Sequence, residues 1–200
     1  MSAAHARVEV VVKVGGGLLA DLDAFRGVLA ALGQVAATRR VVVVAGGGPF
    51  ADAVRALDGR LPLGDDAAHW MAVLAMEQYA LALDALVPGA RLVESRAEAE
   101  RALAEGALPV LAPLRWLRAA DPLPHSWTVT SDSIAAWVAG ALGAGLLVLV
   151  KPAGASAEAP NVVDPYFPRA LAPGTRVAVV PAHRVAELGA LLAGGESPSA

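Results

Sequence analysis

The sequence contains no cysteine. That excludes disulfides and thiolate metal sites, and it removes any direct mark of redox compartment. A basic stripe is also missing. With 16 basic and 19 acidic residues the formal net charge is −3, so no nucleic-acid partner is expected. Long unbroken apolar runs are absent too. Ile134 to Val150 is interrupted by Gly140, Gly143 and Gly145 and falls short of the roughly 18 clean apolar residues of a membrane helix. The Val8–Val14 run is too short for a secretory signal and is broken by Glu9 and Lys13. These absences lead to the expectation of a cytoplasmic protein with no membrane partner.

Lysine is nearly missing. Of the 16 basic residues only Lys13 and Lys151 are lysine. Each ends a valine- or leucine-rich run, with Gly15–Gly17 close behind Lys13 and Pro152 directly after Lys151. An ammonium group at such a place is costly to desolvate unless an anion meets it. The alternative is a strand-end lysine that snorkels to solvent.

What is plentiful is apolar: 56% of the 200 residues are hydrophobic and 18% charged, which rules against disorder and suffices for one compact domain over residues 1–200. Val8 to Val14 reads as a first strand, buried on both faces. Gly15-Gly16-Gly17 follows, then a helical pattern from Leu18 to Ala37. Arg40 to Ala45 reads as a second strand, followed by Gly46-Gly47-Gly48-Pro49 and a helix from Phe50 to Asp58, with the proline in its first turn. Asp65 or Asp66 can cap a long helix that Val87-Pro88-Gly89 stops near Leu86.

Further strands are expected at Arg91–Glu94, Leu108–Ala112, Leu146–Val150 and Arg176–Val180. Helices are expected in the Ala- and Glu-rich stretch after Glu94, over Pro113–Ala120, over Ser133–Leu142 and at the C-terminal end. The proline-rich segment Asp121–Trp127 and the stretch Pro152–Pro160 read as loops, and 194–200 as a frayed tail. Strands alternating with helices argue for a mainly parallel sheet between helical layers, an α/β fold.

Ligands of parallel open sheets gather beyond the carboxyl ends of the strands. Lys13, the two glycine triplets and Lys151 all fall at such ends. Glycine triplets let backbone amides approach an anion, and a helix starting just after adds its positive dipole end. Neither triplet is a Walker A loop, since no Gly-Lys-Ser/Thr follows, and neither has Gly-x-Gly-x-x-Gly spacing. Phosphoryl transfer depends on positioning and charge compensation, and two ammonium groups could serve it. They would repel each other, so an acid is expected between them. Asp132, in Thr130-Ser131-Asp132-Ser133, is the candidate; it can equally be a first-turn acid of the following helix.

Val12-Lys13-Val14-Gly15-Gly16-Gly17, Ala45-Gly46-Gly47-Gly48-Pro49 and Thr130-Ser131-Asp132-Ser133-Ile134-Ala135 together resemble the amino-acid kinase superfamily. The resemblance spans about residues 8 to 180. It implies a three-layer αβα sandwich of the carbamate kinase-like type, and an ATP-dependent kinase accompanied by Mg2+. Segments Ala67–Tyr79 and Leu123–Ser133 are most similar to the small kinases of methanofuran synthesis, which phosphorylate aminomethylfuran-methyl phosphate. The partner so implied is a small phosphorylated substrate, and the assembly a homo-oligomer.

By the same resemblance Lys13 would contact the transferring phosphoryl group, with Asp132 orienting the lysines. Gly15, Gly16 and Gly17 would hold nucleotide phosphates, helped by Ser131 and Pro152. Gly46, Gly47 and Gly48 would line the acceptor side. The family's second lysine falls later in the chain; Lys151 as the second cation follows from chemistry alone. The loop Pro152–Asp164 would lie near the adenine.

On the acceptor side, helical spacing places Asp65, His69 and Met76 on one face, and Asp66, Trp70, Val73 and Glu77 on another. His69 is either a ligand group or a structural histidine. Asp65, Asp66 and Glu77 are possible partners for an aminomethyl group. Met71, Met76, Trp70 and Tyr79 read as core. His125 and Trp127 precede the Ser133 helix, where Trp127 can stack on a flat ring or plug the core. No residue set has transition-metal spacing, so no protein metal ligand is expected; Mg2+ would be held chiefly through phosphate oxygens. Other phosphate acceptors, isopentenyl phosphate or a nucleotide, remain open, as does a non-catalytic nucleotide or oxyanion binder on the same fold.

Overall fold

A computed structural model describes residues 7–35, 38–155 and 161–194. Its centre is a run of β-branched residues. Strand β1 (Val10–Val14) is buried at every position, as are β2 (Val41–Ala45) and the first five residues of β5 (Leu146–Lys151). Such all-round burial requires a cover on both faces, and parallel pairing supplies it. The sheet runs β3-β4-β2-β1-β5-β6, with β3 at Ala90–Val93, β4 at Leu108–Leu111 and β6 at Arg176–Pro181. Every pairing is parallel, with Val12 beside Val43 on one side and Val148 on the other.

The period-two alternation of a strand divides the core in two. Val10, Val12, Val14, Val148 and Val150 face helices α1 (Leu22–Val35) and α8 (Val185–Leu192). Val11, Val42, Val44, Leu147 and Leu149 face α4 (Arg96–Ala104), α6 (Ser131–Leu142) and α7 (Phe167–Ala170). The long α3 (Asp65–Leu86) contributes to both, through Tyr79 and Leu83 on the first side and Val73 and Met76 on the second. The three-layer α/β arrangement expected from the sequence is therefore present, and all-parallel among the described residues.

Several boundaries shift for local reasons. The segment after the first glycine triplet is not one helix: a 3-10 turn spans Gly16–Ala20, and α1 begins only at Leu22. Asp21 breaks the run because its carboxylate accepts the Ala24 amide at 3.0 Å. Ala36 and Ala37, expected at the end of that helix, lie outside the described residues. Helix α2 (Gly48–Asp58) starts two residues before the expected Phe50, and α5 occupies Leu114–Ala120. The one-turn α7 was not anticipated. Residues 156–160 of the expected loop, and 195–200 of the expected tail, are outside the described residues.

Met76 and Tyr79 are buried as expected of core residues, whereas Trp70 and Met71 are only partly covered. Among the described residues no helix is long and apolar enough to cross a membrane.

Candidate active site

Strand register brings the two lysines together. Lys13 continues the Val11 side of β1, and Lys151 continues the Leu147–Leu149 side of β5; Lys13 pairs with Leu149, two residues short of Lys151. Both side chains therefore leave the sheet on the α6 face, at adjacent strand ends. The connection after β1 runs through α1 on the opposite face, while that after β5 runs through α7 on the α6 face. A crevice between strands whose connections part in this way is where open sheets bind ligands.

Helix α6 delivers the counter-charge. Thr130 caps it, its hydroxyl accepting the Asp132 amide at 3.4 Å, so the first turn projects Asp132 between the lysines. Lys151 Nζ donates to Asp132 Oδ2 at 2.5 Å, and Lys13 Nζ lies 3.0 Å from Oδ1. The Lys13 contact is an ion pair not aligned as a hydrogen bond, which leaves Oδ1 without a hydrogen-bond partner among the described residues. Side chains of Lys13 and Asp132 are each 6% exposed. Burial pushes the Lys13 ammonium pKa down; Asp132 opposes this and Lys151 adds to it. For Asp132, burial alone would raise the carboxyl pKa, but Lys13 and Lys151 outweigh it and hold it below the ordinary carboxylate range.

The two glycine triplets split their duties. Gly15 donates its amide to Val150 at 3.0 Å, and Gly46 donates to Val14 at 2.8 Å. Both first glycines thus extend the sheet ladder and do not line the cavity. The amides of Gly16, Gly17, Gly47 and Gly48 have no backbone partner among the described residues. The loops touch: a methyl group on Gly16 would come within 2.1 Å of Gly48 Cα, and Gly48 itself has φ of +55°. A backbone cradle of this kind, beside two ammonium groups, suits phosphate oxygens.

The cavity in front has a volume of about 260 Å³. Of the residues expected at the site, Lys13, Gly16, Gly17, Gly47, Gly48, Asp65, His69, Trp127, Ser131, Asp132 and Lys151 line it. Pro152 stands behind Gly17, where an added methyl would meet its ring at 2.7 Å. His125 is also set back, stacked on His69 with centroids 4.2 Å apart. It bridges Asp66 (2.6 Å) and Asp121 (3.0 Å), ties that draw its pKa upward. Burial, with His125 alongside, lowers His69 to about 4, so it enters the cavity as a neutral ring. Glu77 accepts the Leu114 amide at 3.0 Å and does not line the cavity; of the three acids considered for an amine, only Asp65 does.

Trp127 forms part of the wall and is only partly buried. Its Nε1 donates to Asp58 at 2.7 Å, and the Arg55 guanidinium lies 4.6 Å from its ring centroid. Arg55, a third cation on the cavity, was missed from sequence; its only signal is the helical Asp52/Arg55 spacing, which is usually a surface pair. The pair is indeed an exposed one at 3.1 Å. Asp164 was also missed as a site residue, although it is buried beside the first turn of α6. Its only sequence signal is an acid directly after Val162–Val163. Among the described residues no cluster of His, Cys, Asp and Glu could hold a metal ion.

Comparison with known proteins agrees with this geometry. A [5-(aminomethyl)furan-3-yl]methyl phosphate kinase of Methanocaldococcus jannaschii is 28% identical over 130 residues, covering 64% of this chain and 58% of that protein. The chain thus spans somewhat over half the length of this curated relative. The uridylate kinase of Archaeoglobus fulgidus superimposes with a TM-score of 0.71 at 17% identity, over 94% of this chain and 96% of that one. The UMP kinase of Ureaplasma parvum gives 0.70 at 13% identity, over 96% and 97%. These two likenesses establish a shared fold. The pattern of the Amino acid kinase family matches residues 9–153, a span that holds both glycine triplets, Asp132 and both lysines; the chain belongs to that family.

Proposed function

We propose that the protein transfers a phosphoryl group from ATP to the phosphate of a small phosphorylated alcohol. The observation that carries this reading is the Lys13–Asp132–Lys151 cluster, buried at its first two members and partly buried at the third, facing a cavity edged by two glycine loops. ATP with Mg2+ supplies the transferable phosphoryl group when bound. Gly16, Gly17, Gly47 and Gly48 can hold phosphate oxygens through their amides. Lys13 and Lys151 neutralise charge on the oxygens around the transferring phosphorus, and such preorganised charge is the main protein contribution to this chemistry. Asp132 holds the two cations close together and opposes the loss of charge that burial favours at Lys13. With Asp132 Oδ1 already 3.0 Å from Lys13, its task is orientation, and no proton need move to it.

The acceptor fits the opposite wall. Trp127 offers a ring face, neutral His69 a hydrogen-bonding edge, Asp65 a carboxylate and Arg55 a cation. A ring bearing an aminomethyl group and a phosphate, as in the substrate named for the Methanocaldococcus relative, has chemistry for all four. The proposed setting is the cytoplasm, and the proposed assembly a homo-oligomer.

The test is phosphorus NMR of purified protein with ATP, Mg2+ and either aminomethylfuran-methyl phosphate, isopentenyl phosphate or UMP. Diphosphate product is expected with the furan, and Lys13→Ala should lower turnover by roughly 10²- to 10³-fold. Turnover of UMP or isopentenyl phosphate alone would replace the acceptor. ATP binding without turnover of any acceptor would overturn the kinase reading in favour of a nucleotide or oxyanion binder.

A further inference from the structure

Asp164 lies between β5 and α7 and is 9% exposed. Its carboxylate gathers six donors. Oδ2 accepts the Thr130 amide at 2.9 Å, the Thr130 hydroxyl at 2.8 Å and the Ser133 amide at 3.0 Å. Oδ1 accepts the Ser133 hydroxyl, the Phe167 amide at 2.9 Å and the Tyr166 amide at 3.2 Å. A carboxylate has about four lone-pair sites, so this group is saturated. Thr130 and Ser133 flank Ser131-Asp132, and both are held by one side chain.

We propose that Asp164 is a positioning residue for phosphoryl transfer: it locks the first turn of α6 to the segment after β5, and so fixes where Asp132 meets Lys13 and Lys151. The proposal rests on the reading of that cluster as the reacting centre. It joins the two chain segments on which the cluster depends. Lys151 closes β5, Asp132 opens α6, and Asp164 is the buried link from the continuation of the first to the start of the second.

A helix N-terminus ordinarily invites an external anion. Here an internal carboxylate occupies that place. The phosphates are thereby left to the glycine loops and lysines, and α6 is free to act as the mount for Asp132. Burial pushes the Lys13 ammonium toward the neutral form, Asp132 opposes this most strongly, and Asp164 opposes it as well.

The scarcity of lysine provides a direct test. With only two lysines in the chain, 15N-lysine labelling gives two side-chain ammonium signals, which a Lys151→Arg sample assigns. In Asp164→Asn the Lys13 signal should shift, and its titration should move to lower pH. In the turnover assay kcat should fall roughly 10- to 100-fold, the cost of about 1 Å of misplacement, with the KM for ATP within about twofold of wild type. Ser133→Ala, which keeps the carboxylate and removes one donor, should change both readouts in the same direction and less. Lysine signals and kcat that match wild type in both variants, with only Tm lowered, would overturn the proposal and leave Asp164 a structural clip. A wild type that turns over no acceptor would count against the kinase reading, yet the lysine signals would still decide whether Asp164 places the cluster.

Discussion

The two walls of the cavity are made of different materials. At the β1–β5 crevice the side chains of Lys13 and Asp132 are each 6% exposed, and the frame is strand ends, a capped helix and glycine amides. Across from it, Arg55 and Asp52 form an exposed pair, Asp65 is exposed, and the rings of Trp127 and His69 are only partly covered. The first wall is held by groups that have nowhere else to go; the second by contacts that water can replace. Chemistry common to many acceptors suits the rigid wall, and selection among acceptors suits the adjustable one.

Removing the central acid should make the largest difference between the walls. Asp132→Ala leaves the buried Lys13 ammonium and the partly buried Lys151 one without the carboxylate between them. Breaking a buried ion cluster in this way costs roughly 3–5 kcal/mol, and turnover should fall by at least about 10²-fold. Urea denaturation and phosphorus NMR measure the two effects. Ala replacing Asp52 on the other wall removes only an exposed pair and should stay within about 1 kcal/mol. Equal losses in the two variants would erase the distinction.

The same contrast sets what could be read from sequence. Buried strands announce themselves as valine runs, and strand-end lysines stand out because charge is rare there; hence Lys13 and Lys151 were legible, Asp132 followed as the acid two such cations need, and the order of strands and helices was legible apart from the one-turn α7. The split of duties within each triplet was not, because Gly15 and Gly16 are identical in type and differ only in whether Val150 takes the amide. Asp164 acts through six contacts to Thr130, Ser133, Tyr166 and Phe167, and the link to the first two spans more than 30 residues of sequence that only folding closes. Arg55 becomes notable only once folding sets Trp127 beside it. The first wall follows from local pattern, the second from tertiary meeting of ordinary surface residues.

A smaller effect is expected at Trp127. Trp127→Ala removes a wall ring whose Asp58 and Arg55 partners are both able to meet water. The acceptor KM should rise roughly 2- to 10-fold, the value of one stacking contact of roughly 0.5–1.5 kcal/mol, while the KM for ATP stays near wild type. Trp127→Phe keeps a ring face and loses the Nε1 bond, so it should recover most of the loss. A Trp127→Ala variant that changes kcat but not acceptor KM would place the ring with the chemical wall instead.

The smallest effect separates the paired histidines by pH. His69, held near 4 by burial and by His125, stays neutral in the folded protein while an unfolded histidine gains its proton near 6.5. The unfolded state therefore binds more protons between these values, and stability should fall as pH drops from about 6.5 toward 4. His125 has the opposite sign: with its pKa raised by Asp66 and Asp121, its contribution is present below the ordinary histidine value and fades as pH rises through the folded one. Thermal melts of wild type and His69→Gln across pH 4–8 measure this. The variant should lack the acid slope belonging to His69, a difference of roughly 1–2 kcal/mol at pH 4 for a half-buried ring, or several degrees in Tm. Parallel curves would mean that His69 meets water more freely than its stack on His125 implies, and the acceptor wall would then be softer still.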